Sequence, residues 1–508
     1  MRHWLNVIIM PILAIAAICG CSGSRQVVLA DVASEPAPPA DTADGTETAD
    51  AEPADDTSGP GNIIELRAYR FGLEQAIDWA LKNNISLLNA RDQVVRAGFS
   101  VYAAAAAFEV KIVPKADASV SGGSADTDTS RGFGLGMSKR LPWGTQVGVS
   151  TDTAKFGETH TTAVSFDLTQ PLLRGLGRRY NEDSLLDSRF ALLNSQRAFI
   201  QYQESLIVAV VRAFNDIVRQ REVLALNEKS AQRTLKHLNA AKARERVGLT
   251  SRIDVLRAEI QLRQAEDNLL SAREAYGDAV DNLKLLLGFG TEDNIDIEAD
   301  LSYEEYSVDP EYALMLAMGN RLDLARARNE IDEVARNLRI AKNNTLPQLD
   351  LVMGYQRFGT GPSLSDSSGL DETAWTIGLA TSTDLLRTTE RAAYEQAKLD
   401  EAAAGRNYQL LKDTVSREVK AALRNLEKNR KRIDVQNAEI GHANQKLKLA
   451  ELKFERGLAD NFELIDAEEG IIRAETNYIH AVTDYIVSQV ELKKTVGTLV
   501  ERPMRLLR

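Results

Sequence analysis

Beyond Cys21 the sequence contains no cysteine, which excludes a disulfide framework and any cysteine-based metal site from the rest of the chain. Histidine is scarce and scattered, at His3, His160, His237, His442 and His480, with no spacing that groups metal ligands. Aromatic residues are only 6% of the 508 residues, and richness in Ala, Leu, Glu, Arg and Lys favours long helices over a compact mixed fold. Positive charge is in deficit: the net charge of −12 argues against nucleic acid as a partner. No glycine-rich phosphate loop precedes a helix, and Gly132-Phe133-Gly134-Leu135-Gly136 is glycine alternation within a strand. No nucleophile has a plausible base nearby, and the many paired carboxylates lie on charged helices, where such pairs are solvated faces. The expectation is therefore a protein with no catalytic residues, no cofactor and no metal. Long apolar runs are also missing outside the N-terminus, so a membrane crossing falls to strands closed into a barrel.

What is present begins with a basic Met1-Arg2-His3 and an apolar run from Leu5 to Ile18, too short for a transmembrane helix and suited to a secretory signal peptide. The segment Ile18-Cys19-Gly20-Cys21 resembles a bacterial lipobox, which implies cleavage before Cys21 and acylation of Cys21. Ser22 after that cysteine implies sorting to the outer membrane. An ordinary signal peptide leaving a free cysteine is the alternative. Asp31 to Asn62 consists mainly of Ala, Pro, Asp, Thr and Glu without Lys or Arg, a composition that buries no core and reads as a disordered tether.

The rest is organised around a stretch that occurs twice. Val247 to Gly288 and Arg456 to Gly497 align without a gap at an offset of 209 (457 − 248). Gly248/Gly457, Leu249/Leu458, Ala258/Ala467, Glu259/Glu468, Tyr276/Tyr485 and Gly288/Gly497 are among the identities. A long fixed period means one supersecondary unit used twice. In the first copy Val255, Ala258, Leu262, Ala265, Leu269, Ala272, Tyr276, Ala279, Leu283 and Leu286 step by threes and fours, the seam of helices packed knobs-into-holes. A glycine before each seam suits the left-handed residue that ends an incoming helix, so each unit is a helical hairpin with its tip at Gly248 or Gly457.

Ahead of each hairpin the period changes. Pro114 opens alternation at Ala116, Ala118 and Val120, followed by Phe133/Leu135/Met137, Val147/Val149 and Val164/Phe166/Leu168, closing at Gln170-Pro171-Leu172-Leu173. Pro347 opens a second β section at Leu349, Leu351, Met353 and Tyr355, then Trp375, Ile377 and Leu379. Strands with one apolar and one polar side suit a wall between lipid and water; a half-buried sheet in a soluble domain is the alternative.

Together the duplication, the two tips, Gln170-Pro171-Leu172-Leu173 and Gly319-Asn320-Arg321-Leu322-Asp323-Leu324 resemble the TolC family of outer-membrane efflux proteins, from Ile63 to Leu499. The resemblance implies a mainly α fold with a transmembrane β-barrel part. A homotrimer would combine an α-helical tunnel with a twelve-stranded barrel, each chain giving four strands. It also implies a periplasmic adaptor, an inner-membrane transporter and outer-membrane lipid as partners. The first half offers four alternating pieces and the second only two, which is two more than that plan uses; 131–153 reads as an outer-loop hairpin or as strand extensions.

The expected organisation is a signal peptide at 1–20, a lipid-anchored acidic linker at 21–62, a first repeat at 63–290, a connector at 291–308, a second repeat at 309–499 and a tail at 500–508. Strands fall at about 112–172 and 346–386, and helical hairpins at about 181–288 and 388–499. The resemblance implies that Gly248, Leu249, Thr250 and Ser251, with Gly457, Leu458, Ala459 and Asp460, form the adaptor-docking tips. It also implies that Glu463 and Asp466, three apart on one helix face, ring a pore constriction, with Asp254 holding the tips together. The family's Tyr–Arg tip latch is replaced by Phe454 and Ala459. The expected function is a passive exit duct of a tripartite efflux system in the outer membrane of a Gram-negative bacterium. Type I protein secretion and a lipid-tethered periplasmic coiled-coil scaffold are the rivals.

Overall fold

The computed structural model separates residues Met1–Ile64 from Glu65–Arg508. It describes residues 69–508 apart from 123–126, 249, 299–300, 457, 459–460, 504–505 and 507–508. The expected signal peptide (1–20), Cys21 and the expected acidic linker (21–62) lie outside the described residues.

The described chain opens with β1 (Tyr69–Phe71), α1 (Leu73–Asn83) and α2 (Ile85–Ala105). Four strands follow: β2 (Lys111–Gly122), β3 (Thr127–Arg140), β4 (Gln146–Phe156) and β5 (Thr159–Pro171). Helix α3 (Asp183–Arg246) then runs to the first tip and α4 (Arg252–Leu287) returns. After β6 (Ile295–Ile297), which pairs in parallel with β1, the plan recurs. It has α5 (Pro310–Asn320), α6 (Leu322–Asn344), β7 (Asp350–Gly361), β8 (Glu372–Ala380), α7 (Thr388–Glu455) and α8 (Asn461–Val496). With 64 and 68 residues, α3 and α7 are each roughly 100 Å long at about 1.5 Å per residue.

The repeated seam is the core of both hairpins. Val255, Ala258, Ala265, Ala272, Ala279 and Leu283 are buried in the first; their counterparts 209 positions on, Leu464, Ala467, Ala474, Ala481, Ser488 and Leu492, are buried in the second. Gly288 ends α4 at φ +84, where a Cβ would run into the Asn83 carbonyl. That closeness lets Asn84 cap α2 through Leu87 N (2.9 Å) while its amide donates to Leu286 O (2.9 Å), fixing the α1–α2 elbow on α4. At the matching elbow Arg321 bonds Asp323 (2.9 Å) and Glu418 of α7 (2.8 Å), a physical reason for the Asn320-Arg321-Leu322-Asp323 stretch.

All the long strands form one antiparallel sheet in the order β2-β3-β4-β5-β7-β8. Four wall strands per chain was the expectation; among the described residues the large sheet has six. The segment 131–153 is neither an outer loop nor an extension of its neighbours but most of β3 and β4, because its alternation continues that of β2 and β5 in register. One row across the sheet reads Ile112, Met137, Val149, Phe166, Tyr355 and Trp375. The adjacent row on the other face reads Val113, Gly136, Ser150, Ser165, Gln356 and Ala374. Gln170-Pro171-Leu172-Leu173 ties this sheet to the helices: Leu172 N donates to Leu349 O (2.8 Å) and Gly175 N to the Asn343 side chain (2.9 Å).

Candidate channel wall and helical tips

Two features carry chemistry, the sheet at one end of the long helices and the tips at the other. In the sheet, side chains alternate between faces along every strand. Among the described residues no helix is long and apolar enough to cross a membrane. The sheet's strands of 9 to 14 residues match or exceed the roughly 9–11 that a tilted membrane strand needs.

At the first tip Gly248 turns the chain at φ +73, with its N–H on Glu245 O (2.9 Å). Ser251 then caps α4. Its hydroxyl accepts from Asp254 N (3.3 Å), and Asp254 Oδ2 accepts from Ser251 N (3.2 Å) and from its hydroxyl (2.6 Å). Those bonds, the Ser251 hydroxyl first, hold the Asp254 carboxyl below the usual carboxylate range. Thr250 Oγ1 lies 3.5 Å from the same carboxylate and Arg257 lies 3.6 Å from Asp254. Arg252 instead reaches Glu245 across the hairpin (3.5 Å).

At the second tip Leu458 N closes on Lys453 O (2.8 Å), a helix-ending turn, and the Leu458 side chain stands 75% exposed. Val247, Ile253 and Phe462 are exposed beside the two tips, so apolar surface is concentrated there. Leu249, Gly457, Ala459 and Asp460 lie outside the described residues. Glu463 and Asp466 share a face of α8, and each meets a lysine of α7: Lys453 at 3.5 Å and Lys446 at 2.5 Å. Hydrogen bonding to Lys446 lowers the Asp466 carboxyl below its usual range.

The sequence reading missed how the two hairpins are joined near the tips. The Arg244 guanidinium lies 4.2 Å over the Phe454 ring, and its Nη1 donates to Phe454 O (3.4 Å). His237 Nε2 sits 2.7 Å from the buried Glu468, and Gln261 donates to Glu469 (2.7 Å). Phe454 thus has a cationic partner, supplied by α3 rather than by its own tip. No pattern within one helix signals such a pair. Among the described residues no cluster of His, Cys, Asp and Glu forms a metal site.

The family model for "Outer membrane efflux protein" matches residues 76–289 and 313–498, most of the chain and both repeats. The chain belongs to the outer membrane efflux protein family. It is 24% identical over 316 residues to outer membrane protein TolC of Escherichia coli, covering 59% of this chain and 63% of that one. It thus spans less than two thirds of that relative's length. Against TolC of Vibrio cholerae the identity is 23%, covering 64% and 75%. In fold it is similar to the Campylobacter jejuni CmeC outer membrane channel, with a TM-score of 0.67 at 16% identity, covering 84% of this chain and 86% of that one. The open state of the Neisseria gonorrhoeae MtrE outer membrane channel gives 0.62 at 20% identity, covering 90% and 98%.

Proposed function

We propose that this protein is the outer-membrane exit duct of a tripartite efflux assembly. It passively conducts small molecules from the periplasm, or from an inner-membrane pump, to the exterior. The observation that carries this reading is the six-stranded sheet, apolar on one face and polar on the other, joined to helices that end in paired tips. A homotrimer closes the sheets into a barrel and the hairpins into a tunnel, as the fold of the related outer membrane channels supports. Residues 1–20 are then a signal peptide, Cys21 carries lipid, and 21–62 tether the body to the outer membrane of a Gram-negative cell.

The tips are the adaptor-docking surface. Gly248, Thr250, Ser251 and Leu458 present backbone and apolar contact to a partner hairpin, and an inner-membrane transporter selects the cargo. Glu463 and Asp466 ring the pore at the constriction, with Lys453 and Lys446 moderating their charge. Extracted from membranes, the full chain should be a trimer whose gel migration changes on heating and which conducts ions in planar bilayers. A monomer that stays in the aqueous fraction once Cys21 is replaced would overturn the duct. Replacing Glu463 and Asp466 together by alanine should weaken block by divalent and trivalent cations. Unchanged block would remove both residues from the pore lining.

A further inference from the structure

From the unbroken register of the sheet we infer that the hairpin β3–β4 is part of the transmembrane wall. The closed trimer then has eighteen strands, three times the six of one chain, with β2 of each copy paired to β8 of the next. This rests on the duct reading above and adds the width of its mouth.

Four observations converge. First, the ladders on either side of the hairpin run without interruption: β2 pairs with β3 from Lys111–Ser138 to Gly122–Thr127, and β4 with β5 from Gln146–Thr169 to Phe156–Thr159. A hairpin projecting from a β2–β5 wall would require those two strands to pair with each other, and they do not.

Second, the apolar belt crosses the inserted strands. Met137 and Val149 fill the row between Ile112 and Phe166, and Leu135 stands next to Pro114 in the row above. Phe133 and Leu135 are exposed on that face, where a water-bathed loop would have no use for them. Lipid gives that face a reason. On the other face, Gly132 and Gly134 leave room for the carboxylates of Asp117 and Asp152, which a Cβ at either position would strike. The inner face there is polar, with the carboxylates of Asp117 on β2 and Asp152 on β4 set over the glycines of β3.

Third, the hairpin spans the full height of the sheet. Its turn is fixed at the helical end: Gly144 takes φ +100, the Trp143 carbonyl accepts from Gly177 N (3.1 Å), and Arg140 donates to Asn181 (2.8 Å). Gly177 and Asn181 belong to the segment that leads from β5 into α3. The turn is therefore seated where a wall strand must reverse.

Fourth, the chain leaves two free edges that suit one another. Every residue of β8 is exposed, Trp375 and Leu379 included, and β2 exposes Ile112 and Val120 on the matching face. Unpaired edges of this kind need a partner strand. Because the number of strands is even, β2 and β8 run in opposite directions, so copies joined edge to edge keep the whole ring antiparallel. The occupant of each edge is a second copy of this chain.

Barrel diameter grows about linearly with strand number, so eighteen strands give a mouth roughly 1.5 times as wide as twelve. Size selection then belongs to the helical tips, not to the barrel.

The test is electron cryomicroscopy of the full-length trimer in lipid, with the strands counted around the barrel. Eighteen in one continuous wall is the expected result. A trimer with twelve, and 127–156 outside the wall, overturns this inference while leaving the duct intact. A monomer that fails to enter lipid overturns the duct itself, and this inference falls with it. Two single-cysteine variants give an independent readout in intact cells. Ser150→Cys, on the polar face, should react with a charged maleimide entering from outside, and Phe133→Cys should react only after extraction. Equal reaction of both in cells overturns the inference.

Discussion

From Val247 to Gly288 and from Arg456 to Gly497 the two repeats keep one offset of 209 with no insertion. Ahead of the hairpins they part company: 111–171 holds four strands where 350–380 holds two. The difference has a geometric cause. An α-helix turns about 100° per residue, so one added residue rotates the rest of a seam such as Val255–Leu283 away from its partner. An antiparallel sheet accepts an added pair of strands without reversing the strand that follows. The helical tube is thus held to its length, and the wall grows in steps of two.

The largest test of this contrast sits within the conserved part. Tyr485 is fully buried, its hydroxyl accepts from Tyr306 N (3.0 Å), and its ring meets Tyr303 edge-on at 5.6 Å. Its repeat mate Tyr276 is only partly buried. Tyr485→Ala should cost about 3–5 kcal/mol by the usual toll of emptying an aromatic core site. Tyr276→Ala should cost distinctly less, both followed by denaturant unfolding. Equal losses would mean that the two seams are loaded alike despite their different burial.

The next test compares an inserted strand with a shared one. Met137 on β3 and Tyr355 on β7 stand in the same row. In the proposed wall an arginine at either site would face lipid, at a cost of about 2–4 kcal/mol near the bilayer midplane. Met137→Arg and Tyr355→Arg should therefore weaken assembly of the proposed trimer to a similar degree, followed by its gel migration. A harmless Met137→Arg would set β3 apart from the wall.

Much of this architecture is legible in the residues, because helices and strands differ in period. The step of threes and fours marks α4 and α8, and the alternation through Phe133, Leu135 and Met137 marks β3. The glycines at 248 and 288 mark the ends of α3 and α4 through their positive φ. What the family plan of four strands concealed, the residues themselves already displayed as four alternating pieces in the first half. Contacts between helices were not legible. Arg244 and Phe454 are 210 positions apart, and the Lys446–Asp466 pair depends on how α7 faces α8. Spacing along one helix carries no trace of either. Asp254 was expected to hold the two tips together; the structure shows it bound to Ser251 in the cap of its own tip.

That cap makes the third test. Ser251→Ala removes the acceptor for Asp254 N and should cost about 1 kcal/mol, the usual value for a lost N-cap. The loss should be local, read as faster amide exchange in the first turn of α4 with α8 unchanged. Matching acceleration in α8 would mean that the two tips open as a unit, through contacts such as Arg244–Phe454.

The smallest effect separates the two tips by what holds their carboxylates. Asp254 and Asp466 both have lowered pKa values, the first mainly through the Ser251 hydroxyl and the second mainly through Lys446. A depressed carboxylate contributes stability above its unfolded value, near 3.8 for both, and that stability is lost as pH falls through the lower folded value. Acid therefore loosens both tips and does not tell them apart. Salt does, because the Debye length shrinks to about 3 Å at 1 M and exposed ion pairs are screened, whereas a hydrogen-bonded cap within one turn is not. Asp466→Ala should speed exchange in the first turns of α8 at low salt and change little at high salt. Asp254→Ala should speed exchange in α4 by the same factor at both. If high salt erased the Asp254→Ala effect as well, the first tip too would be held by charge, and the contrast between the tips would vanish.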